Sequence, residues 1–174
     1  MKKRLLLTAL LLASLTGMVR GQDYDFAQKI GGNMLYFYIL SERDKTLEVT
    51  YPGPSEDDPY KGKSRPSGKL SIPQEVIYDS VQYTVTAIRY GAFKGCKRIT
   101  MVVLPGTLRE IGEEAFAGCT GIESMVCMPQ QPPKLNEDCF VDVDIKIPVI
   151  VPTGTQETYR QAFGWRIFEN IKSY

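Results

Sequence analysis

The chain has 174 residues, with 21 Lys and Arg against 20 Asp and Glu, and 43% of its residues are hydrophobic. This length suits one domain with a substantial core, and the balanced charge without a basic stripe disfavours a nucleic-acid partner. The sequence contains no histidine and no Cys-x-x-Cys pair. We therefore expect no metal site, no resident cofactor and no conventional Ser-His or Cys-His catalytic pair.

The first 21 residues have the pattern of a secretory signal peptide. Three cations at residues 2–4 precede an apolar stretch over residues 5–15, and Val19 and Gly21 fit the small-residue positions before a cleavage site. The stretch is about half of the roughly 20 residues that span a membrane, so no transmembrane anchor is expected after cleavage. The mature chain, with 17 Lys and Arg against 20 Asp and Glu, is expected to be exported: secreted, periplasmic or held at the cell surface.

An N-terminal region of two strands and a loop is predicted next. Strand-forming residues fill positions 33–40, and Leu47, Val49 and Tyr51 alternate with polar neighbours, which indicates two antiparallel strands. Residues 52–68 are rich in Pro, Gly and charge, which predicts an exposed loop. The acidic triplet 56–58 lacks the ligand spacing of a calcium loop, so a solvated turn is the favoured interpretation.

Two further elements flank the central part of the chain. Apolar residues over 76–78 and 83–87 predict a second strand pair that turns at Asp79 and Ser80. Near the C-terminus, Thr155 is suited to start a short helix, and Gly164 stands where such a helix commonly stops. Trp165, Phe168 and Ile171 follow as apolar cover for the last repeat described below.

Residues 88–96 and 111–119 are near copies of each other. Ile, Ala, Phe, Gly and Cys all recur after 23 positions, and a third, less regular copy contains Phe140. Each copy leads into an apolar stretch that ends in proline, which defines a first repeat (residues 88–105), a middle repeat (residues 111–129) and a last repeat (residues 135–152). A period in the twenties predicts stacked units, because one unit of that length cannot bury its own apolar face.

Alternation along the three apolar stretches predicts which side chains face outward. When the stretches are aligned on their prolines, the inward residues are Val102, Leu104, Val126, Met128, Val149 and Val151. The outward residues are then Met101, Val103, Met125, Cys127, Pro148 and Ile150. Since all six outward residues are apolar, we expect either the N-terminal strands or a partner to cover them, and they form the candidate binding face.

The repeats resemble the BspA-like leucine-rich repeats of bacterial surface and secreted proteins. The resemblance rests on the sequence over 83–88, on Ala-Phe-x-x-Cys, and on an Ile-rich strand closing on proline, and it covers roughly residues 70–152. The chain departs from the family pattern at four positions. Arg89 and Asn136 replace the glycine of the Ile-Gly pair, Cys139 replaces the alanine before Phe140, and Val143 replaces the cysteine.

That resemblance implies a mainly β fold with short helical or irregular connections. The expected architecture is a short leucine-rich repeat solenoid of about three coils, with an N-terminal β-strand region and a C-terminal helical cap. The chain then divides into a signal peptide (1–21), the N-terminal strand pair and loop (22–69), and the solenoid with its cap (70–174). In the family pattern the ladder cysteine is a small buried apolar residue, so Cys96 and Cys119 are expected as free thiols although their spacing would permit a disulfide.

The same resemblance implies a function in binding rather than catalysis. The expected protein is exported and non-catalytic, and it binds a protein or glycan at the cell surface in an adhesion-like role. A structural subunit of an envelope assembly is the alternative, with the apolar face as a permanent interface, and the oligomeric state stays open. A secreted hydrolase is the weakest alternative, because the adjacent Glu113 and Glu114 are better explained as a solvated turn than as an acid and base pair.

Overall fold

The structure is a computed structural model that describes residues 24–53, 58–135 and 137–174. The predicted signal peptide and residues 56 and 57 of the acidic triplet lie outside these residues. The strands are β1 (Phe26–Ile30), β2 (Asn33–Ser41), β3 (Thr46–Thr50), β4 (Gly68–Ser71), β5 (Glu75–Tyr78), β6 (Val81–Ile88), β7 (Ile99–Leu104), β8 (Glu110–Ile111), β9 (Ser124–Cys127), β10 (Lys134–Leu135), β11 (Pro148–Val151) and β12 (Asn170–Ser173). Helix α1 spans Gln156–Gln161, and two short 3₁₀ helices span Glu137–Phe140 and Trp165–Ile167.

The strands form two sheets, and the mainly β character that the sequence predicts is confirmed. The mixed sheet has the order β1-β2-β3-β6-β8-β10, with β5 paired to β6. Its first three strands are antiparallel, whereas β3, β6, β8 and β10 run parallel. The parallel sheet has the order β12-β11-β9-β7-β4. Each repeat passes from the mixed sheet to the parallel sheet, so that successive repeats add one strand to each.

A column of stacked phenylalanine rings lies in the core between the sheets. The ring of Phe116 lies 5.3 Å from that of Phe93 and 5.4 Å from that of Phe140. Phe116 is fully buried in the centre of this column. Trp165 and Phe168 contact Phe140 at 5.9 and 5.2 Å and close the end of the column.

Glycine is required where one repeat approaches the backbone of the next. A Cβ atom on Gly112 would lie 2.4 Å from the backbone nitrogen of Tyr90. Such a distance is shorter than real Cβ contacts allow, and the neighbouring backbone cannot move aside as a flexible side chain can. The glycine of the Ile-Gly pair in the middle repeat is therefore dictated by the close stacking of repeats.

The structure corrects the predicted direction of four side chains in the middle repeat, since Val126 and Met128, predicted to point inward, are half-buried and 46% exposed. Met125 pairs in register with Val102 on one side and with Val149 on the other, and all three are fully buried. Met125 and Cys127 therefore point into the core, and the prediction that they face outward is wrong. The alignment on the prolines gave the wrong directions because Met128 separates the end of β9 from Pro129, whereas β7 ends directly before Pro105. A shift of one residue moves every side chain to the opposite face.

The predicted exposed loop over residues 52–68 is partly wrong as well. Tyr60 is 2% exposed, and its hydroxyl donates to the carbonyl of Ala92 at 3.0 Å. Arg65 forms an ion pair with Asp58 and donates to the carbonyl of Lys94 at 3.2 Å. These contacts show that the described part of this segment packs on the first repeat. Its Tyr-Lys-Gly at 60–62 also matches Phe-Lys-Gly at 93–95 in sequence, and both glycines are left-handed, at φ 71° and 69°.

Side chains form hydrogen bonds with backbone groups at both edges of the parallel sheet. At the β4 edge, the amide of Asn33 donates to the carbonyls of Ser67 and Lys69 at 3.2 and 3.1 Å, and its oxygen accepts from the Ser67 N–H at 2.9 Å. At the β12 edge, Arg160 donates to the carbonyl of Ile171 at 3.0 Å. Because open edges invite pairing with other chains, these contacts limit edge-to-edge association.

Candidate functional site

The outward side of the parallel sheet carries a stripe of apolar side chains, here called the outer face. Val103 lies opposite Val126, and Val126 lies opposite Ile150, so the three form one row across β7, β9 and β11. Met101 and Pro148 stand beside this row on the same side, with Ser124 between them, and all six residues are half-buried. Four of the six predicted face residues therefore lie together.

Val126 is the residue that the sequence analysis missed on this face. A constant offset of 23 from Ile99 to Ile122 and from Val102 to Met125 would have placed it correctly. The prolines, which stand 24 apart in these two repeats, gave the competing alignment.

Polar residues flank the apolar stripe at both ends of the sheet. Ser71 and Lys69 of β4 lie opposite Val103 and Met101, and Lys172 of β12 lies opposite Ile150. Both lysines are exposed. With strands about 4.8 Å apart, the two lysine-bearing strands are separated by roughly 19 Å. An apolar centre inside a polar rim is the distribution found at protein interfaces.

The N-terminal strands do not cover the outer face. Strand β3 pairs with β6, so β1, β2 and β3 extend the mixed sheet. Phe37 is buried beneath that sheet and stacks with Phe26 at 5.1 Å. Of the two covers that the sequence left open, the N-terminal strands are therefore excluded, since their aromatic residues are already accommodated elsewhere.

The four cysteines are buried free thiols in the structure. The Cys119 thiol donates to the carbonyl of Phe93 at 3.0 Å. Burial raises the pKa of Cys96 and of Cys119 to about 12, and it raises the pKa values of Cys127 and Cys139 as well. Because the thiolate is the reactive form, these side chains act as core packing rather than as nucleophiles.

An ion pair joins the N-terminal strands to the first repeat. Arg89 stands where the family pattern has glycine, and its Nε lies 2.8 Å from a carboxylate oxygen of Glu48. Its guanidinium also lies 4.8 Å from the ring centre of Tyr38. Burial raises the pKa of Glu48, and the positive charge of Arg89 opposes that rise. The departure at Arg89 therefore has a structural role in fastening β2 and β3 to β6.

Glu114 belongs to a polar cluster on the turns rather than to an acid and base pair. One carboxylate oxygen accepts from the Lys94 ammonium and from the Tyr90 hydroxyl, each at 2.6 Å. These two hydrogen bonds lower the pKa of Glu114. The carboxylate is thus held in its charged form, which suits neither a general acid nor a base poised near neutral pH.

No three His, Cys, Asp or Glu side chains in residues 24–53, 58–135 and 137–174 are grouped closely enough to hold a metal ion. Among the helices of that same part of the chain, none has the length and apolar character needed to cross a membrane.

Comparisons with known proteins place the repeats in a family. The model of the BspA type leucine-rich repeat region, with six copies, matches residues 75–172, and no curated protein matches the chain. A leucine-rich repeat protein from Bacteroides ovatus is similar in fold, with 22% identity and a TM-score of 0.50 over 86% of this chain and 41% of that one. This chain thus spans about two fifths of the length of that relative.

Two further crystal structures also match. A leucine-rich cell surface protein from Faecalibacterium prausnitzii has 20% identity and a TM-score of 0.40, over 87% of this chain and 33% of that one. A leucine-rich repeat protein from Bacteroides capillosus has 15% identity and a TM-score of 0.41, over 85% of this chain and 98% of that one. Since the family model covers more than half of the sequence, this chain belongs to the BspA-type leucine-rich repeat family.

Proposed function

We propose that this chain is an exported, non-catalytic binding protein that holds a partner protein on its outer face. The observation that carries the proposal is the row of Val103, Val126 and Ile150, which stays partly exposed in the centre of a sheet with polar edges. Contiguous apolar surface of this kind marks protein interaction sites. Membership of the family and the signal-peptide pattern of residues 1–21 support export and a place at the cell surface.

The positive charges of two lysines beside the apolar stripe indicate the charge of the partner. Lys69 and Lys172 lie on opposite sides of the apolar row and face the same way as its side chains. A partner segment that crosses the strands with apolar residues in its centre and carboxylates near both ends would match this pattern. We therefore favour an acidic protein segment over a second copy of this chain.

The architecture that presents this face is proposed to be a short leucine-rich repeat solenoid. The three repeats supply about three coils, and β4 and β12 extend the parallel sheet beyond them. Helix α1 and the 3₁₀ helix Trp165–Ile167 would form the C-terminal cap. In support of this, the Tyr159 hydroxyl donates to the Pro129 carbonyl at 2.9 Å, and the Trp165 indole donates to the Pro133 carbonyl at 2.8 Å.

Binding by Val103→Lys and Val126→Lys variants tests the proposal. The mature chain is passed over immobilised extracellular matrix proteins and over envelope proteins, and Val141→Lys serves as the control because Val141 is an exposed valine of the last repeat, outside the outer face. We expect both face variants to lose binding while their melting temperatures stay near that of the parent. Lys69→Glu combined with Lys172→Glu should also weaken binding.

Two results would contradict the proposal. Unchanged binding by both face variants would show that the partner sits elsewhere. A parent chain that is dimeric, and that becomes monomeric with Val126→Lys, would favour the alternative of a structural subunit whose outer face is a permanent interface.

A further inference from the structure

A groove lies on the side of the molecule where the chain returns from the parallel sheet to the mixed sheet. It is bounded by the turn after β7, by the turn after β9, and by Thr84 and Thr86 of β6. Its volume is about 510 Å³, within the range of about 300 to 1,000 Å³ that small-molecule sites occupy. It is separate from the row of Val103, Val126 and Ile150. Ligand binding in this groove is therefore independent of the function proposed for that row.

An irregularity of the repeat lies at this groove. Leu104 and Cys127 are paired in register, but Leu104 is followed at once by Pro105, whereas Met128 stands between Cys127 and Pro129. The middle repeat therefore turns one residue later than the first. Gly106 faces this later turn without a side chain, and a Cβ there would be 3.7 Å from the nearest atom, the carbonyl oxygen of Met128. Insertions in repeat proteins are concentrated on one face, often the binding face.

The groove combines neutral hydrogen-bonding groups with an apolar surface. Hydroxyls come from Thr84 and Thr86, and carboxamides come from Gln130 and Gln131. Leu108, Met128 and Pro129 supply the apolar part. Hydroxyls and carboxamides both donate and accept hydrogen bonds, which suits the hydroxyl groups of a saccharide. The apolar residues suit the C–H faces of its rings.

A single cation sets the charge of the groove. Arg109 is exposed and lines it, and the lining residues of the described chain include no Asp or Glu. The planar guanidinium binds a carboxylate through two parallel hydrogen bonds, which makes it selective for that group. A ligand with one carboxylate would therefore be favoured over a neutral one of the same shape.

We propose that this groove binds a saccharide that carries a carboxylate group. Arg109 pairs with the carboxylate, and Gln130 and Gln131 bind ring hydroxyls. Two sources share this chemistry, uronic acids of polysaccharides and sialic acids of glycoproteins. The probes are trigalacturonate for the first source and 3′-sialyllactose for the second, with lactose as the neutral comparison.

Calorimetric titration of the mature chain with these three probes tests the proposal. We expect one of the acidic probes to bind at least about ten-fold more tightly than lactose, the size of effect typical of a charged hydrogen bond. Arg109→Gln should remove that advantage. Lys29→Gln, which changes the net charge equally at an exposed site on β1 away from the groove and the outer face, should leave it intact.

Gln131→Ala separates a ligand role from a structural one. Gln131 is an exposed residue of the groove, so we expect the melting temperature to stay near that of the parent while affinity for the acidic probe falls. The proposal is overturned if neither acidic probe binds at millimolar concentration, if lactose binds as well as both, or if Arg109→Gln leaves the acidic preference unchanged.

Discussion

The middle and last repeats pack alike although their sequences have diverged. Their phenylalanine rings, Phe116 and Phe140, stack at 5.4 Å with an angle of 9° between the planes. The left-handed turn position is Gly118 in one, at φ 71°, and Asp142 in the other, at φ 65°. The two backbones are joined by a hydrogen bond of 2.8 Å from the Gly118 N–H to the Val141 carbonyl. The two repeats therefore share the backbone geometry of the turn and the buried phenylalanine ring, although the residue at the left-handed position differs.

The differences between these repeats show which side chains are not required for the repeats to pack on each other. Cys119 is fully buried and bonds to the previous repeat, whereas Val143 in the equivalent place is 6% exposed and has no thiol. Ile145, which stands 23 residues after the buried Ile122, is 39% exposed, while Ile147 is buried. A buried side chain of modest size is needed at the cysteine position, and a thiol is not.

The largest effect is expected from removing the shared ring in the middle repeat. Phe116→Ala should lower the free energy of unfolding by about 3 to 5 kcal/mol, because the cavity would lie between two other rings and could not collapse. Ile145→Ala, at an exposed site, should change it by less than about 0.5 kcal/mol. Denaturant unfolding measures both. If the Phe116 variant unfolds like the parent, the ring column does not hold the repeats together.

A smaller loss is expected where the middle repeat touches the backbone of the first. Gly112→Ala should cost about 1 to 3 kcal/mol, because the added methyl would lie 2.4 Å from the Tyr90 nitrogen and force the repeats apart. Gly106→Ala is the matched control, since its methyl would meet ordinary contact distances. Equal unfolding midpoints for the two variants would argue against close stacking at Gly112.

At the left-handed turn position, two substitutions are expected to change stability in opposite directions. Gly118→Ala should lower the free energy of unfolding by about 1 to 2 kcal/mol, since a Cβ disfavours positive φ. Asp142→Gly should raise it by up to about 1 kcal/mol by relieving the same cost in the last repeat. Thermal unfolding of both variants measures the pair. A destabilised Asp142→Gly protein would mean that the aspartate side chain contributes contacts that outweigh its backbone cost.

The smallest effect concerns the charged cluster on the middle repeat. The pKa of Glu114 is lowered from its ordinary value of 4.5 by hydrogen bonds from Lys94 and Tyr90. A lowered carboxylate pKa stabilises the folded state above the unfolded-state value, and that contribution is lost as the pH falls through the folded-state value. The melting temperature of the parent should therefore exceed that of Glu114→Gln at pH 7, and the gap should close below pH 4.5. A gap that does not depend on pH would contradict this account.

The sequence predicted the stacked repeats because identical residues recurred at one spacing. It misplaced Met125 and Cys127 because two spacings competed, 23 for the core residues and 24 for the prolines. Composition led to an exposed loop at residues 52–68, although Tyr60 there is buried. A single aromatic residue among prolines and charges carries little weight in composition, yet it can fill one place in a core.

By itself, the sequence determined the family, the stacked repeats and the apolar character of the strand residues, since these follow from residue types that recur at a fixed spacing. Only the tertiary structure decided which strand residues face outward, where β1 to β3 attach, and that Thr107, Arg109 and Gln131 come together in one groove. These features depend on register and on contacts between residues distant in sequence. A shift of one residue leaves composition unchanged but exchanges the two faces of a strand, so burial across the whole sheet must settle it.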